Sequence, residues 1–343
     1  MLCAESSTSK DCFGRLDPYL ALMRIVVLGG TGFVGRWIVR ELSEHGHDVC
    51  VVHRGVTEPE PVPSGAHVHG SRAEFEDLWP QILKYSPASL VDVAPYSSQD
   101  AQQVLRAVPK GIRLLALSSM DVYRASGALH GHASEDAVPL DESAPLREDR
   151  FIYRDTGNPA DDYEKLDVEE EYLRRGATIL RLPMIYGEHD RTRREEFILR
   201  RCRAQRASIP IGLGSLLWSR GYVRDIARAV RLALETDPAG EIFNVCESRT
   251  CTMAQWARQI ARAAGWQGEF VRVPDEALPP DLSLTGSFGQ HLLFDSSKAR
   301  RMLGWTETEP VVALQASVDW HLAHPPEGSD DFTADETALG ARR

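Results

Sequence analysis

Apolar positions along this chain follow two rhythms that alternate from one end to the other. Short β-branched runs, beginning with Ile25, Val26, Val27 and Leu28, give way to stretches in which large apolar side chains return every three or four residues. The runs at 24–28, 49–53, 89–94, 113–118, 177–182 and 241–245 predict strands. Apolar at nearly every position, they suit a sheet covered on both faces. In the first helical stretch Val34, Trp37, Ile38 and Leu42 share one face, and Gly46 stands where a helix C-terminus favours a left-handed residue. The same spacing predicts helices at about 97–108, 162–175, 195–206, 223–236, 252–264 and 311–322, with Thr252 and Gln255 as a capping box. Strands alternating with helices predict an α/β protein built on a doubly wound parallel sheet. The segment from Trp266 to Leu293, with its prolines, shows no readable period. Residues 1–22 are polar and aperiodic and are expected to be a disordered extension, and 323–343 a disordered tail.

The first strand runs directly into Gly29-Gly30-Thr31-Gly32-Phe33-Val34-Gly35 and then into the amphipathic helix, so G-x-x-G-x-x-G joins a strand to a helix. There Gly29 permits a tight turn, Gly32 lets backbone approach a pyrophosphate, and Gly35 allows close helix–strand packing, with the helix N-terminus facing the anion. Thr31, Phe33, Val34 and Arg36 complete this candidate cofactor loop. A site selective for NAD places an acid about 20 residues on, at the end of the second strand, to hold the ribose 2′-hydroxyl. Here that place holds His53, Arg54 and Gly55. A guanidinium is a good fork for a 2′-phosphate and Arg36 offers a second, which favours NADP(H) over NAD(H). The alternative is that Arg54 is only a solvated strand-end residue.

Composition narrows the function classes. With 43% hydrophobic and 26% charged residues the chain can bury a sizeable core. The 39 Lys and Arg against 50 Asp and Glu leave a charge of −11, which argues against a nucleic-acid partner. No apolar run suits a membrane span, and the N-terminus lacks the apolar core of a secretion signal, so a cytoplasmic location is the default. Six scattered cysteines without C-x-x-C or zinc-spaced histidines predict reduced thiols and no metal site.

Several motifs, in order, resemble the extended short-chain dehydrogenase/reductase family, which includes nucleotide-sugar epimerases and dehydratases. They are the glycine loop, LSSMDVY at 117–123, RLPMIYG at 181–187, GYVRDIARAV at 221–230, EIFNV, and FDSSKARRMLGW at 294–305. The resemblance implies a Rossmann-type dinucleotide-binding domain over 23–187, with 221–247 returning to it. It implies a smaller C-terminal substrate lobe from 188–220 and 248–322, and a homodimer as a common assembly. The family's site combines a serine on the LSS strand end, matched by Ser119, with a tyrosine and a lysine four residues later. In this chain that pair is broken. Aligning Lys165 with the family lysine puts Asp161 at the tyrosine position and leaves Tyr163 displaced, because residues two apart on a helix face nearly opposite ways. Asp161 is then a candidate general base. The alternatives are that Tyr163, Tyr96 or Tyr123 reaches the cleft from another direction, or that the site performs no redox chemistry. The resemblance places Pro183 and Met184 against the nicotinamide amide, Lys165 on its ribose, and Tyr96, Tyr186 and Arg191 toward a substrate.

The seven arginines between 191 and 206 suit an anionic small-molecule substrate such as a nucleotide sugar, or else decorate an exposed amphipathic helix. The expected function is thus an NADP(H)-dependent oxidoreductase, epimerase or dehydratase with an altered Tyr-Lys site. The competing expectation is an NADP(H)-binding regulator or an RNA-binding relative without redox turnover.

Overall fold

A computed structural model describes residues 22–56, 65–131, 134–155, 161–328 and 330–341. In its first half the chain runs β1 (Arg24–Leu28), α1 (Phe33–Glu44), β2 (Asp48–His53), β3 (Ala66–His69), α2 (Phe75–Lys84), β4 (Ser89–Asp92), α3 (Ser98–Ala107) and β5 (Arg113–Ser119). It continues through α4 (Lys165–Leu173), β6 (Thr178–Leu182), β7 (Met184–Tyr186), α5 (Glu196–Arg203), β8 (Ser208–Ile211), β9 (Arg220–Tyr222), α6 (Val223–Thr236) and β10 (Ile242–Asn244). It ends with α7 (Met253–Ala263), β11 (Glu269–Arg272), α8 (Ser297–Leu303), α9 (Pro310–Ala323) and α10 (Thr333–Gly340).

Seven parallel strands form the central sheet in the order β10-β6-β5-β4-β1-β2-β3. Alternation of side chains along a strand divides the core in two. Ile25 and Val27 of β1 face Trp37, Ile38 and Leu42 of α1 and Val230 of α6. Val26 and Leu28 face Phe75, Trp79 and Ile82 of α2, Val104 of α3 and Tyr172 of α4. Strand order reverses between β4 and β1, and the glycine loop leaves β1 at that crevice, where doubly wound sheets take their ligands. Two short two-stranded pieces, β7 with β9 and β8 with β11, belong to the second half of the chain.

All six predicted strands and the predicted helices are present. The sequence pattern missed β3, the short strands β7, β8, β9 and β11, and helices α2 and α8. In α2 the interior Pro80 disguises the helix, yet Phe75, Trp79 and Ile82 bury one face of it. The tail is a correction: 333–340 is a helix whose Asp335 is fully buried against Arg201 and whose Ala338 packs on Val271 and Val273. A sequence with so few large apolar groups is anchored through an ion pair, which apolar periodicity does not register. The expected disorder of 1–21 lies outside the described residues. No helix among the described residues is long and apolar enough to cross a membrane.

Candidate active site

Gly29 adopts φ +89°, closing the turn after β1. A Cβ on Gly35 would meet the Gly29 carbonyl oxygen at 2.1 Å, so only glycine lets α1 start this close to the strand. At Gly32, the N-cap of α1, a Cβ would meet nothing nearer than 3.7 Å and would project into open space where backbone faces the groove. Gly29, Thr31, Gly32 and Phe33 line that groove, a cleft of about 770 Å³, together with His53, Arg54, Tyr96 and Arg191. Val34, Gly35 and Arg36 do not line it, though Arg36 lies near the lining Arg191.

Positive charge is left over along this groove. Arg36 is half-buried, its Nε has no hydrogen-bond partner among the described residues, and burial together with Arg191 lowers its pKa. Among the described residues no carboxylate forms an ion pair with Arg36, Arg54 or Arg191. Asp100 and Asp162 also line the groove, but neither forms an ion pair with these guanidiniums, which suit an anionic ligand such as a dinucleotide phosphate. Arg72, by contrast, is spent: it holds Asp92 through two 2.6 Å hydrogen bonds, and Tyr172 donates to the same carboxylate.

Deeper in, the strand end of β5 and the start of α4 build a polar cluster. Tyr163 donates a 2.7 Å hydrogen bond to Asp121 Oδ2, and the Tyr153 hydroxyl approaches the same oxygen at 3.4 Å. Asp121 Oδ1 is buried with no hydrogen-bond partner among the described residues, while Arg147 stands 4.0 Å away. Ser119 caps the turn by accepting from the Asp121 amide at 3.1 Å. Burial pushes the Asp121 carboxyl above its ordinary pKa, against the pull of Tyr163, Arg147 and Lys165. Burial, with the Asp121 charge beside it, pushes the Tyr163 phenol well above its own. Lys165 is buried, donates to the carbonyl oxygens of Pro95 (2.6 Å) and Leu117 (3.1 Å), and is lowered to about 8 by desolvation. Its ammonium lies 5.2 Å from the Tyr96 ring and 5.8 Å from that of Tyr163.

A cleft of about 490 Å³ opens over this cluster, lined by Ser119, Asp121, Tyr163, Pro183, Met184 and Arg194. Ser119, Tyr163, Pro183 and Met184 are therefore brought together as expected, and Tyr96 and Lys165 border the cluster. Asp161 is not: it is exposed in a turn ahead of α4 and accepts from the Asp155 amide at 3.1 Å. Tyr186 is also absent from the cleft, buried in the core against Tyr222 and Trp256. The arginine segment is largely consumed internally. Arg193 and Arg203 pair with Glu196, Arg200 with Asp281, Arg201 with Asp281 and Asp335, and Arg206 with Glu336. Arg191 and Arg194 alone of the seven have no ion pair among the described residues, and they face the two clefts. Asp121, Arg147 and Arg194 were missed in the sequence. The one signal for Asp121 was its place two residues after Ser119, at a strand end and between apolar Met120 and Val122.

The sheet and its switch-point loop define a dinucleotide-binding α/β protein of Rossmann type. The sequence pattern of the NAD dependent epimerase/dehydratase family matches residues 25–246, and the chain belongs to that family. Among curated relatives, the chloroplast stem-loop binding protein of 41 kDa b of Arabidopsis thaliana is 26% identical, over 93% of this chain and 85% of its own. The 3-diazoavenalumate denitrifying reductase of a Streptomyces species is 25% identical, over 84% of this chain and 97% of its own. The UDP-glucose 4-epimerase of Thermotoga maritima, solved with UDP-glucose, superposes with TM-score 0.64 at 20% identity over 88% of this chain and 99% of its own. The dTDP-glucose 4,6-dehydratase of Bacillus anthracis, solved with NAD, gives 0.67 at 17% identity over 88% and 97%. At those identities the structural likeness shows the fold.

Proposed function

We propose that this protein is an NADP(H)-dependent enzyme that exchanges a hydride at an alcohol or carbonyl carbon of a small anionic substrate, with Asp121 and Tyr163 replacing the family's Tyr-x-x-x-Lys pair. The observation that carries this reading is the 2.7 Å Tyr163–Asp121 hydrogen bond on the wall of a cleft bordered by Pro183 and Met184. Gly29, Thr31, Gly32, Phe33, His53 and Arg54 would hold the dinucleotide, with Arg36 beside them, and Pro183 and Met184 would border its nicotinamide. The bound nicotinamide supplies or accepts the hydride. Asp121 acts as the base through Oδ2, which already accepts from Tyr163, and its raised pKa makes it a better proton acceptor than a surface aspartate. Tyr163 serves as the relay, passing its own proton to Oδ2 as it takes one from the substrate hydroxyl. The ammonium of Lys165 steadies the carboxylate, and Arg194 receives the substrate's anionic group.

Titration with NADPH and with NADH, read by tryptophan fluorescence on wild type and Arg54→Ala, tests the cofactor assignment. Tight NADPH binding that weakens in the variant supports it, and equal binding of both nucleotides by both proteins removes it. The Arabidopsis relative's name supplies the second reading, a stem-loop binding protein. Against it stand the net charge of −11 and the internal pairing of most of the arginine segment. Salt-dependent retention on an RNA hairpin would favour that reading.

A further inference from the structure

Outside the cleft, three histidines converge at the sheet's edge. β2 and β3 pair in parallel with His53 opposite His69 and Val51 opposite His67. Residues two apart on a strand share a face, so His67 and His69 rise from β3 on the same side as His53 from β2. Their coordinating nitrogens lie within 4.8 Å of one another, and His53 Nε2 is 3.0 Å from His67 Nδ1. The His53 ring stands edge-on to both neighbours, with centroids 5.1 Å from His67 and 4.6 Å from His69.

We propose that His53, His67 and His69 form a binding site for a divalent d-block cation of the zinc type. Imidazole nitrogens select Zn²⁺, Ni²⁺ or Cu²⁺ over Mg²⁺ and Ca²⁺, which take oxygen ligands. With metal–nitrogen bonds of about 2.0–2.1 Å, tetrahedral ligand nitrogens sit about 3.3 Å apart, close to the existing His53–His67 separation. His69 is exposed and closes the remaining gap by a side-chain rotation, while buried His53 anchors the set. Binding through His53 Nε2 requires the tautomer protonated at Nδ1 and gives up the 3.3 Å contact from the Gly55 amide. His53 and Arg54 also line the dinucleotide groove, so the cation would sit at the edge of that groove.

The test is calorimetric titration of the full-length, untagged chain with Zn²⁺, together with visible absorption on Co²⁺ addition, for wild type, His67→Ala, His69→Ala and the double variant. Expected are one site per wild-type chain, affinity at least about tenfold weaker in each single variant, and a cobalt ligand-field band lost in the double variant. Unchanged thermal transitions show that the partly exposed variants remain folded. Uptake that persists in the double variant puts the ion on other ligands and overturns the proposal. So does a wild-type chain that takes up no Zn²⁺.

Discussion

Asp121→Asn is the perturbation that separates the Asp121–Tyr163 reading from a structural role. At the observed 2.7 Å, a carboxylate and a phenolate repel by about 6 kcal/mol at an effective dielectric of about 20. That repulsion adds to burial in holding the Tyr163 phenol protonated, so in the proposed mechanism the carboxylate is the resting base. Asparagine keeps the shape and a hydrogen-bond acceptor for the phenol but removes both the charge and the basic site. Turnover, measured with NADP⁺ against a panel of nucleotide sugars, should fall by about 10²–10⁴-fold. The Tyr163 phenol should ionise at lower pH than in wild type, read as the tyrosinate band in an alkaline titration with Tyr163→Phe as the blank.

The same variant fixes a stability sign. Burial raises the Asp121 pKa in the folded state, so its protonated form stabilises the fold at low pH, and this contribution is lost as pH rises through the folded pKa. Asparagine is neutral throughout. Asp121→Asn should therefore be at least as stable as wild type near neutral pH in thermal melts, with the difference closing on acidification. Undiminished turnover together with an alkaline titration superimposable on wild type would refute the assignment.

Gly35→Ala drives a Cβ into the Gly29 carbonyl and should cost about 1–3 kcal/mol in urea unfolding, with NADPH binding lost. Asp335→Ala strips a buried partner from Arg201, which keeps Asp281 as its ion-pair partner and the Phe197 carbonyl as an acceptor. A loss near the lower end of the 3–5 kcal/mol typical of broken buried pairs should appear as a lowered Tm. Because Lys165 is held near 8, turnover should decline as pH rises past that value, and Lys165→Met should flatten that limb of the pH–rate profile.

The legible parts of the fold were those written in local pattern. β1 and β2 are apolar along almost their whole length, and α6 repeats its buried Ile226, Ala229, Val230 and Ala233 at helical spacing, so both strand and helix boundaries were readable. The glycine loop was readable because strand, spacing and helix agree within a dozen residues. α10 was hidden because its anchor is Asp335 reaching Arg201 across more than a hundred residues. The arginine segment was ambiguous for the same reason. Which guanidiniums are spent depends on Asp281, Asp335 and Glu336, and only the tertiary fold leaves Arg191 and Arg194 facing the clefts.

The displaced tyrosine follows from where α4 begins. A tyrosine two residues before a lysine points away from it only if both lie on a helix, and here they do not. Glu164 is the N-cap, extended at φ −154° and ψ 101°, so Tyr163 precedes the helix and Lys165 opens it. Across an extended residue, positions i and i+2 face the same side. That start is held by one buried carboxylate: Glu164 accepts from the Leu166 amide at 3.0 Å, from the Phe151 amide at 2.7 Å and from Arg147 at 2.9 Å. Arg147 also donates to the Asp121 carbonyl oxygen, which ties the helix start to the strand end that carries Asp121. The Arg147–Glu164 pair thus fixes the extended start that places Tyr163 against Asp121, with the Lys165 ammonium 5.8 Å from its ring.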